Sequence, residues 1–259
     1  MTMLVFEVEA FRLFLLVLVR FSGLIVTAPI LGSANFPVMA KIGLAALAAF
    51  LVLPGIPALE NPLPDDPIAF AALAFGELAV GLMIGFVMTL VFAAIQVAGE
   101  IIDMLTGFAV VNVFNPSLET QVPVFGFFLF VIAALYLLTL NGHHTMLLAL
   151  NSTYASIPPG GFVAQPKLFF EVSAWAGPVF RDSILVAAPV AGALLLAYLT
   201  MGLLGRVVPQ INLFVVGFPV TIAIGLLMAG LSIELYIKTL DGLFGAMFRQ
   251  VAAMVQAMS

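Results

Sequence analysis

The sequence predicts an all-α, membrane-associated protein built from helical hairpins, with about six hydrophobic segments. Of its 259 residues, 64% are hydrophobic and only 8% are charged, whereas a soluble domain carries roughly a quarter charged residues. The mean hydropathy is +1.26, so polar side chains are too few to cover a surface that faces water. We therefore expect the chain to lie in a membrane or to bury its surface in partner proteins.

Charge and cysteine content exclude several classes of function. Eight Lys and Arg residues oppose thirteen Asp and Glu residues, giving a formal charge of −5 that is spread thinly along the chain. No basic patch is therefore available for nucleic acid. The absence of cysteine rules out disulfides, thiolate catalysis and cysteine metal sites. We expect no catalytic residue, no cofactor and no metal.

The first two hydrophobic segments are predicted at residues 11–31 and 38–53. Arg20 lies near the middle of the first segment, where an arginine costs about 2.5–3.5 kcal/mol on insertion scales and usually faces protein or water. Arg20 therefore indicates that a partner covers one face of this segment. An acidic, proline-rich surface loop follows the second segment.

The third segment, residues 68–98, is too long for a single straight span. Gly81 and Gly85 have the small-xxx-small spacing that lets two helix backbones approach closely. Glu77 stands in apolar surroundings, and two interpretations remain open. It could be a proton or ion site or, as we favour for a lone carboxylate, a hydrogen-bonding or ion-pairing group that faces an adjacent chain.

The stretch 99–123 combines carboxylates with many apolar residues. Glu100 and Asp103 lie in it, and Gly107 and Asn115-Pro116 are expected to interrupt any regular backbone. Irregular backbone at membrane depth is tolerated only where it is buried in protein or lines a cavity. The stretch is therefore interpreted as a gate or plug, or else as an interfacial turn that packs on its neighbours.

The second half predicts four further helical regions. A fourth segment, residues 124–140, could continue as one long helix to residue 154, and an interfacial helix is expected over 167–182. Segments 183–204 and 213–235 would form a hairpin in which Pro189 and Pro219 interrupt the helices. From residue 238, apolar residues at helical spacing predict an amphipathic helix on the membrane surface or on a partner.

Short motifs run along nearly the whole chain. They are Gly76-Glu77 with Gly81 and Gly85, Gln96-Val97-Ala98-Gly99-Glu100, Thr106-Gly107-Phe108, Asn115-Pro116, Leu140-Asn141-Gly142-His143-His144, Ala187-Ala188-Pro189, and Gly205-Arg206-Val207-Val208-Pro209-Gln210-Ile211-Asn212-Leu213-Phe214. In this order they resemble the FliR/SctT family of type III secretion export-gate proteins, and its flagellar branch in particular. The Asn-Gly-His-His run and the run from Arg206 to Phe214 are the most specific parts.

The resemblance implies a non-enzymatic core subunit of the flagellar type III protein export gate, in the bacterial inner membrane at the flagellar basal body. Its partners would be FliP and FliQ, together with FlhB and FlhA, unfolded export substrates and the membrane. Family members look like a fusion of two parts. Here a FliP-like part would cover residues 1–160, and a FliQ-like helical hairpin with the C-terminal amphipathic helix would cover residues 161–259.

Family members close their pore with a loop between the third and fourth hydrophobic segments, which corresponds to residues 106–121 here. The implied plug residues are Gly107, Phe108, Val110, Val111, Val113, Phe114, Asn115 and Pro116. The apolar ones could fill a narrow lumen, while Gly107 and Asn115 would let the loop refold aside. Inter-subunit or buried polar contacts are expected at Arg20, Glu77, Glu100, Asp103, Arg206, Gln210 and Asn212.

Three alternatives differ in mechanism or setting. The same family also serves virulence injectisomes, where the mechanism would be unchanged. A proton- or ion-coupled transporter would use Glu77, Glu100 or Asp103 as carrier sites. An intramembrane enzyme built on His143 and His144 is the weakest option, because no nucleophile or metal cluster accompanies the two histidines.

Overall fold

A computed structural model describes residues 2–56, 59, 62–109, 123–163, 170, 173–210 and 212–258. Within these residues the protein is all-helical and contains no β-strand, which confirms the predicted fold class. The α-helices of the described part are α1 (Thr2–Thr27), α2 (Val38–Val52), α3 (Pro67–Thr106), α4 (Val124–Thr139), α5 (Gly142–Ser152), α6 (Pro178–Val207), α7 (Leu213–Leu231) and α8 (Ile233–Met258). Short 3-10 turns follow α2 at Leu53–Gly55 and α5 at Thr153–Ala155.

Four helices in the described part are long and apolar enough to cross a membrane, namely Val8–Thr27, Val38–Gly55, Pro67–Thr106 and Ser173–Val207. Two bent helix pairs would raise the number to six if each pair forms one span. They are Val124–Thr139 with Gly142–Ala155, bent by 67°, and Val215–Leu231 with Ile233–Met258, bent by 60°. The protein is therefore an all-α membrane protein with four to six candidate spans in these residues.

Helix α3 is longer than the sequence predicts. The predicted segment ended at residue 98, but the helix continues through Glu100 and Asp103 to Thr106 and has 40 residues. Carboxylates alone do not break a helix, and no proline lies between residues 99 and 106. The interruption comes only at Gly107, whose φ of +91° lies in the left-handed region that favours glycine.

The breaks in the second half lie at other positions than the sequence predicts. The expected long helix over 124–154 is wrong, because Asn141 has a left-handed φ of 54° and separates α4 from α5. Asparagine adopts this conformation more readily than most residues. Pro189 and Pro219 instead lie inside helices α6 and α7, and the bend in this region falls at Ser232, between α7 and α8.

Helix α8 is amphipathic, but its apolar side is not free for a membrane surface or a partner. Leu240, Phe244, Met247, Val251 and Met254 are each at most 1% exposed in the chain itself. Their spacing of three or four residues places them on one side of the helix. The expected external docking of this helix is therefore wrong, because the chain buries the apolar side itself.

The chain forms two compact units. One comprises Met1–Leu90, Leu137–Ala176 and Ala246–Ser259, and the other comprises Val91–Tyr136 and Gly177–Gly245. Each unit contains residues from both sides of position 160. The division into a FliP-like and a FliQ-like part concerns likeness to other proteins, and it stays a prediction.

Candidate functional site

Helices α1 and α3 pack backbone against backbone in the first unit. A Cβ atom added at Gly81 would lie 2.1 Å from the carbonyl oxygen of Arg20, and one at Gly85 would lie 1.9 Å from Thr27 Oγ1. The hydroxyl of Thr89 donates to the Thr27 carbonyl oxygen at 2.6 Å. The spacing of Gly81 and Gly85 thus permits the close approach that small residues allow at helix crossings.

Beside this crossing, Arg20 of α1 and Glu77 of α3 form a buried ion pair. Both side chains are fully buried. Arg20 Nε lies 2.5 Å from Glu77 Oε2, and Arg20 Nη2 lies 3.0 Å from Oε1, so the contact is bidentate. A planar guanidinium matches a carboxylate in this way better than a lysine ammonium can.

The segment that follows α5 completes the surroundings of the ion pair. Arg20 Nη1 donates to Thr153 Oγ1 at 2.8 Å and to the Ile157 carbonyl oxygen at 3.1 Å. The Gly160 N–H donates to Glu77 Oε1 at 2.7 Å, and the Tyr154 ring centroid lies 4.2 Å from the guanidinium carbon. Both charges are therefore compensated by hydrogen bonds as well as by each other.

The ion pair joins three parts of one unit rather than two subunits. The sequence predicted inter-subunit or buried polar contacts for Arg20 and Glu77 and favoured an adjacent chain, but the structure shows buried contacts within the same chain. We call the set of Arg20, Glu77, Thr153, Tyr154, Ile157 and Gly160 the polar node. Sequence reasoning missed its last four members, although the short polar stretch after α5 was a signal that could have marked them.

Asp103 joins the end of α3 to the start of α4 in the second unit. Its side chain is buried, and both carboxylate oxygens lie 3.1 Å from the Phe125 N–H. The Gly126 N–H is 3.3 Å from Oδ2. The first N–H groups of a helix have no partner within it, and a carboxylate also matches the positive end of the helix dipole. Asp103 thus caps α4 from a distance of more than twenty positions in sequence.

Hydroxyl groups from α6 and α7 satisfy the carbonyl groups at the end of α3. Tyr198 donates to the Leu105 carbonyl oxygen at 2.7 Å, and Thr221 donates to that of Thr106 at 2.9 Å. The last carbonyls of a helix otherwise lack partners. Neither hydroxyl was identified from the sequence.

Gly107 leaves little space for any other residue. A Cβ atom added there would lie 2.5 Å from the Phe218 ring. The ring of the next residue, Phe108, lies 5.9 Å from that of Phe125 in a tilted arrangement. We call Asp103, Gly107, Phe125, Phe218 and Thr221, with Leu105, Thr106, Phe108, Gly126 and Tyr198, the α3–α4 junction.

The remaining predicted site residues fall into two groups. Glu100, Arg206, Gln210 and Asn212 are exposed on the chain, so their expected contacts with other subunits stay predictions. Six further residues lie outside the described residues, namely Val110, Val111, Val113, Phe114, Asn115 and Pro116.

The two histidines lie side by side, with the rings of His143 and His144 4.6 Å apart. No group of three metal-ligating side chains occurs in the part that the structure describes.

Fold and site together define a helical membrane protein in which the buried charged side chains Arg20, Glu77 and Asp103 all form hydrogen bonds within the chain. Its sequence matches the model for bacterial export proteins, family 1, over residues 11–247. The chain belongs to this family, which confirms the resemblance seen in its motifs.

Relatives match along nearly their whole length. The chain is 32% identical to the flagellar biosynthetic protein FliR of Escherichia coli K12 over 238 residues, covering 92% of this chain and 90% of the relative. It is 34% identical to FliR of Bacillus subtilis, covering 85% and 86% respectively. It is 29% identical to FliR of Aquifex aeolicus, covering 92% of each chain.

The ion pair predicts a distinctive pattern of stabilities. Glu77→Gln leaves a buried guanidinium without its counter-charge, so we expect a loss of about 3–5 kcal/mol. The double variant Arg20→Met with Glu77→Leu removes both charges and should recover more than half of that loss. Each variant is compared with the unmodified protein by heating the detergent-solubilised protein and recording the temperature at which it aggregates. The matched control is Asp65→Asn, which breaks the exposed pair between Arg12 and Asp65 and should leave the transition unchanged. Equal stability of Glu77→Gln and the unmodified protein would contradict the prediction.

The cap on α4 predicts a graded response at Asp103. Asp103→Ala removes the acceptor for two helix N–H groups and should destabilise the protein by about 1–2 kcal/mol. Asp103→Asn keeps a side-chain oxygen and should recover most of the loss. The same heating assay separates the variants. Equal stability of Asp103→Asn and Asp103→Ala would contradict the interpretation, because the two variants differ mainly in the side-chain oxygen that accepts the hydrogen bonds.

Gly107 should tolerate no side chain. Gly107→Ala places a Cβ against Phe218 in a left-handed conformation, which alone costs about 1–2 kcal/mol. Gly43→Ala is the control, because Gly43 lies in helix α2 with nothing within 4 Å of an added Cβ and should become slightly more stable. A Gly107→Ala variant that melts with the unmodified protein would refute the packing argument.

Proposed function

We propose that the protein is a non-enzymatic core subunit of a flagellar type III protein export gate, forming part of its channel for unfolded flagellar subunits. The observation that carries this proposal is the match to an export family over residues 11–247, together with relatives that are named flagellar biosynthetic proteins. Those names favour a flagellum over an injectisome.

The length of α3 supports a place inside a larger assembly. Its 40 residues extend about 60 Å, whereas the hydrocarbon core is about 30 Å thick. Even a tilt of about 40° leaves it too long. Apolar residues occur along its whole length, so some of them lie beyond the hydrocarbon and need protein, from this chain or another, to cover them.

The proposed assembly contains FliP and FliQ, with FlhB and FlhA nearby, in the bacterial inner membrane at the basal body. In it, residues 1–160 act as a FliP-like part and residues 161–259 as a FliQ-like part.

Large apolar side chains on α2 and α6 are not covered by the chain itself, among them Met39 at 82% exposure and Leu196 at 66%. Such faces suit neighbouring helices or lipid.

Residues 106–121 act as the plug of this channel. The α3–α4 junction supports the proposal, because it fixes the two ends from which such a loop would project. Asp103 holds the start of α4 beside the end of α3, and Phe108 packs near Phe125. A loop with a fixed base can seal a lumen without loosening the helices that carry it.

A coupled transporter is less well supported. Both carboxylate oxygens of Glu77 accept hydrogen bonds, from the buried Arg20 guanidinium and from the Gly160 N–H. Those of Asp103 accept bonds from backbone N–H groups. A carrier carboxylate must take up and release its ion. Two of the three carboxylates that would serve as carriers are therefore engaged in holding the fold.

The plug is tested by removing only the segment beyond its base. Residues 110–115 are deleted, or replaced by a Gly-Ser segment of equal length, while Gly107 and Phe108 remain because they pack in the junction. We expect both variants to assemble with FliP and FliQ and to leak small ions or dyes across the membrane, since the apolar filling is lost.

Controls separate the plug from the wider function. Co-purification with FliP and FliQ shows whether a variant is assembled, and removal of the whole chain should abolish export of flagellar subunits. Assembled variants without leakage would overturn the plug alone. Normal export in the absence of the whole chain would overturn the proposed function.

A further inference from the structure

The three carboxylates of α3 have different surroundings. Glu77 is fully buried against Arg20, and Asp103 is 4% exposed and bonds to backbone N–H groups of α4. Glu100 lies less than one helical turn before Asp103, yet it is exposed. No hydrogen bond or ion pair links it to any residue in the described part of the chain. A strongly apolar helix thus presents one unpaired charge.

Glu100 is the centre of an exposed stripe on α3. Gln96, Glu100 and Met104 are spaced by four residues, so they lie along one side of the helix. All three are exposed, Met104 by 69%. A lipid-facing stripe would exclude the amide and the carboxylate, so the stripe faces water or another protein. An interface with another protein accommodates both kinds of side chain.

We propose that Glu100 is a docking point for a lysine or arginine on a helix of the neighbouring subunit. The chemistry identifies the partner side chain, because a carboxylate removed from water needs a cation or several hydrogen-bond donors. The proposal rests on the proposed function, since it assumes that the chain assembles with other subunits. It adds the kind of group that the neighbouring subunit must present at this place.

The described cations of the chain itself are mostly engaged elsewhere. Their partners are Asp65 for Arg12, Glu77 for Arg20, the Gly32 carbonyl for Lys41, Asp182 for Arg181 and Glu234 for Lys238. These contacts leave Glu100 without a counter-charge within the described part. Arg206 and Arg249, the other two described cations, form no ion pair with Glu100 either. In the proposed arrangement, a cation of the neighbouring subunit supplies the counter-charge.

Charge reversal tests the inference in the full complex. Glu100→Arg, co-expressed with the subunits of the gate, should lower recovery of the co-purified complex at least about tenfold, because like charges repel strongly across an interface. Glu100→Gln should give an intermediate loss. The matched control is Glu9→Arg, which reverses another exposed acid, near the start of α1, and should leave recovery unchanged.

A suppressor screen identifies the partner group. Substitution of one lysine or arginine by glutamate in a co-expressed subunit should restore recovery of the Glu100→Arg complex. Recovery of that complex at the unmodified level would overturn the inference. So would loss of the Glu100→Arg chain from the membrane when it is expressed alone, because that would give Glu100 a role within its own chain.

The absence of cysteine permits a second, independent measurement. A Glu100→Cys variant should react with a water-soluble maleimide in the isolated chain and be protected in the assembled complex. Equal reaction in both would mean that the stripe faces water, and the inference would fail. If the unmodified chain does not co-purify with FliP and FliQ, the proposed function and this inference fall together. If it does, a negative result at Glu100 removes only the inference.

Discussion

The buried ion pair between Arg20 and Glu77 is the interaction on which the first compact unit depends. Taking two charges out of water costs several kcal/mol for each ion, and the fold must compensate that cost at one place. It does so by bringing α1 and α3 into backbone contact at Gly81 and by wrapping the segment after α5 around the guanidinium. A bidentate contact fixes direction as well as distance, so the pair sets how α1 and α3 cross. The Gly160 N–H bond to Glu77 then fixes the chain that follows.

Environment, rather than residue type, decides what a carboxylate does in this protein. Glu77, Glu100 and Asp103 all lie in α3, the same apolar helix. A side-chain cation neutralises Glu77, and the N–H groups at the start of α4 bind Asp103. Both carboxylates are thereby used within the chain. Among the three, Glu100 alone has no partner in the described part of the chain. If it pairs with a neighbouring subunit as proposed, the charge would fix the direction and register of an interface that is otherwise mostly apolar.

Composition predicted the fold class and marked the polar sites, because a charge in an apolar segment is conspicuous. Arg20, Glu77 and Asp103 were all identified in this way. Their partners were not, since Thr153 is 133 positions from Arg20. The polar stretch after α5 marks candidate partners, but a single sequence does not show which residues pair. The predicted helix boundaries were wrong for a local reason. Asn141 adopts a left-handed conformation that other residues rarely take, whereas Pro189 stays inside a helix because one lost hydrogen bond does not end it. Gly107 was predicted correctly as a break, because its lack of a side chain allows the positive φ.

The α3–α4 junction bears on how the proposed plug would open. In a membrane protein, unpaired carbonyl groups at a helix end are costly unless water or another polar group meets them. The Tyr198 hydroxyl donates to the Leu105 carbonyl oxygen, and the Thr221 hydroxyl donates to that of Thr106. Fraying of the end of α3 would therefore break both hydrogen bonds. Fraying the start of α4 would likewise release Asp103. Rearrangement of the loop is less costly when it begins beyond Phe108 and leaves both helix ends intact. The arrangement therefore favours displacement of the plug as a loop on a fixed base over opening by melting of the helices that carry it.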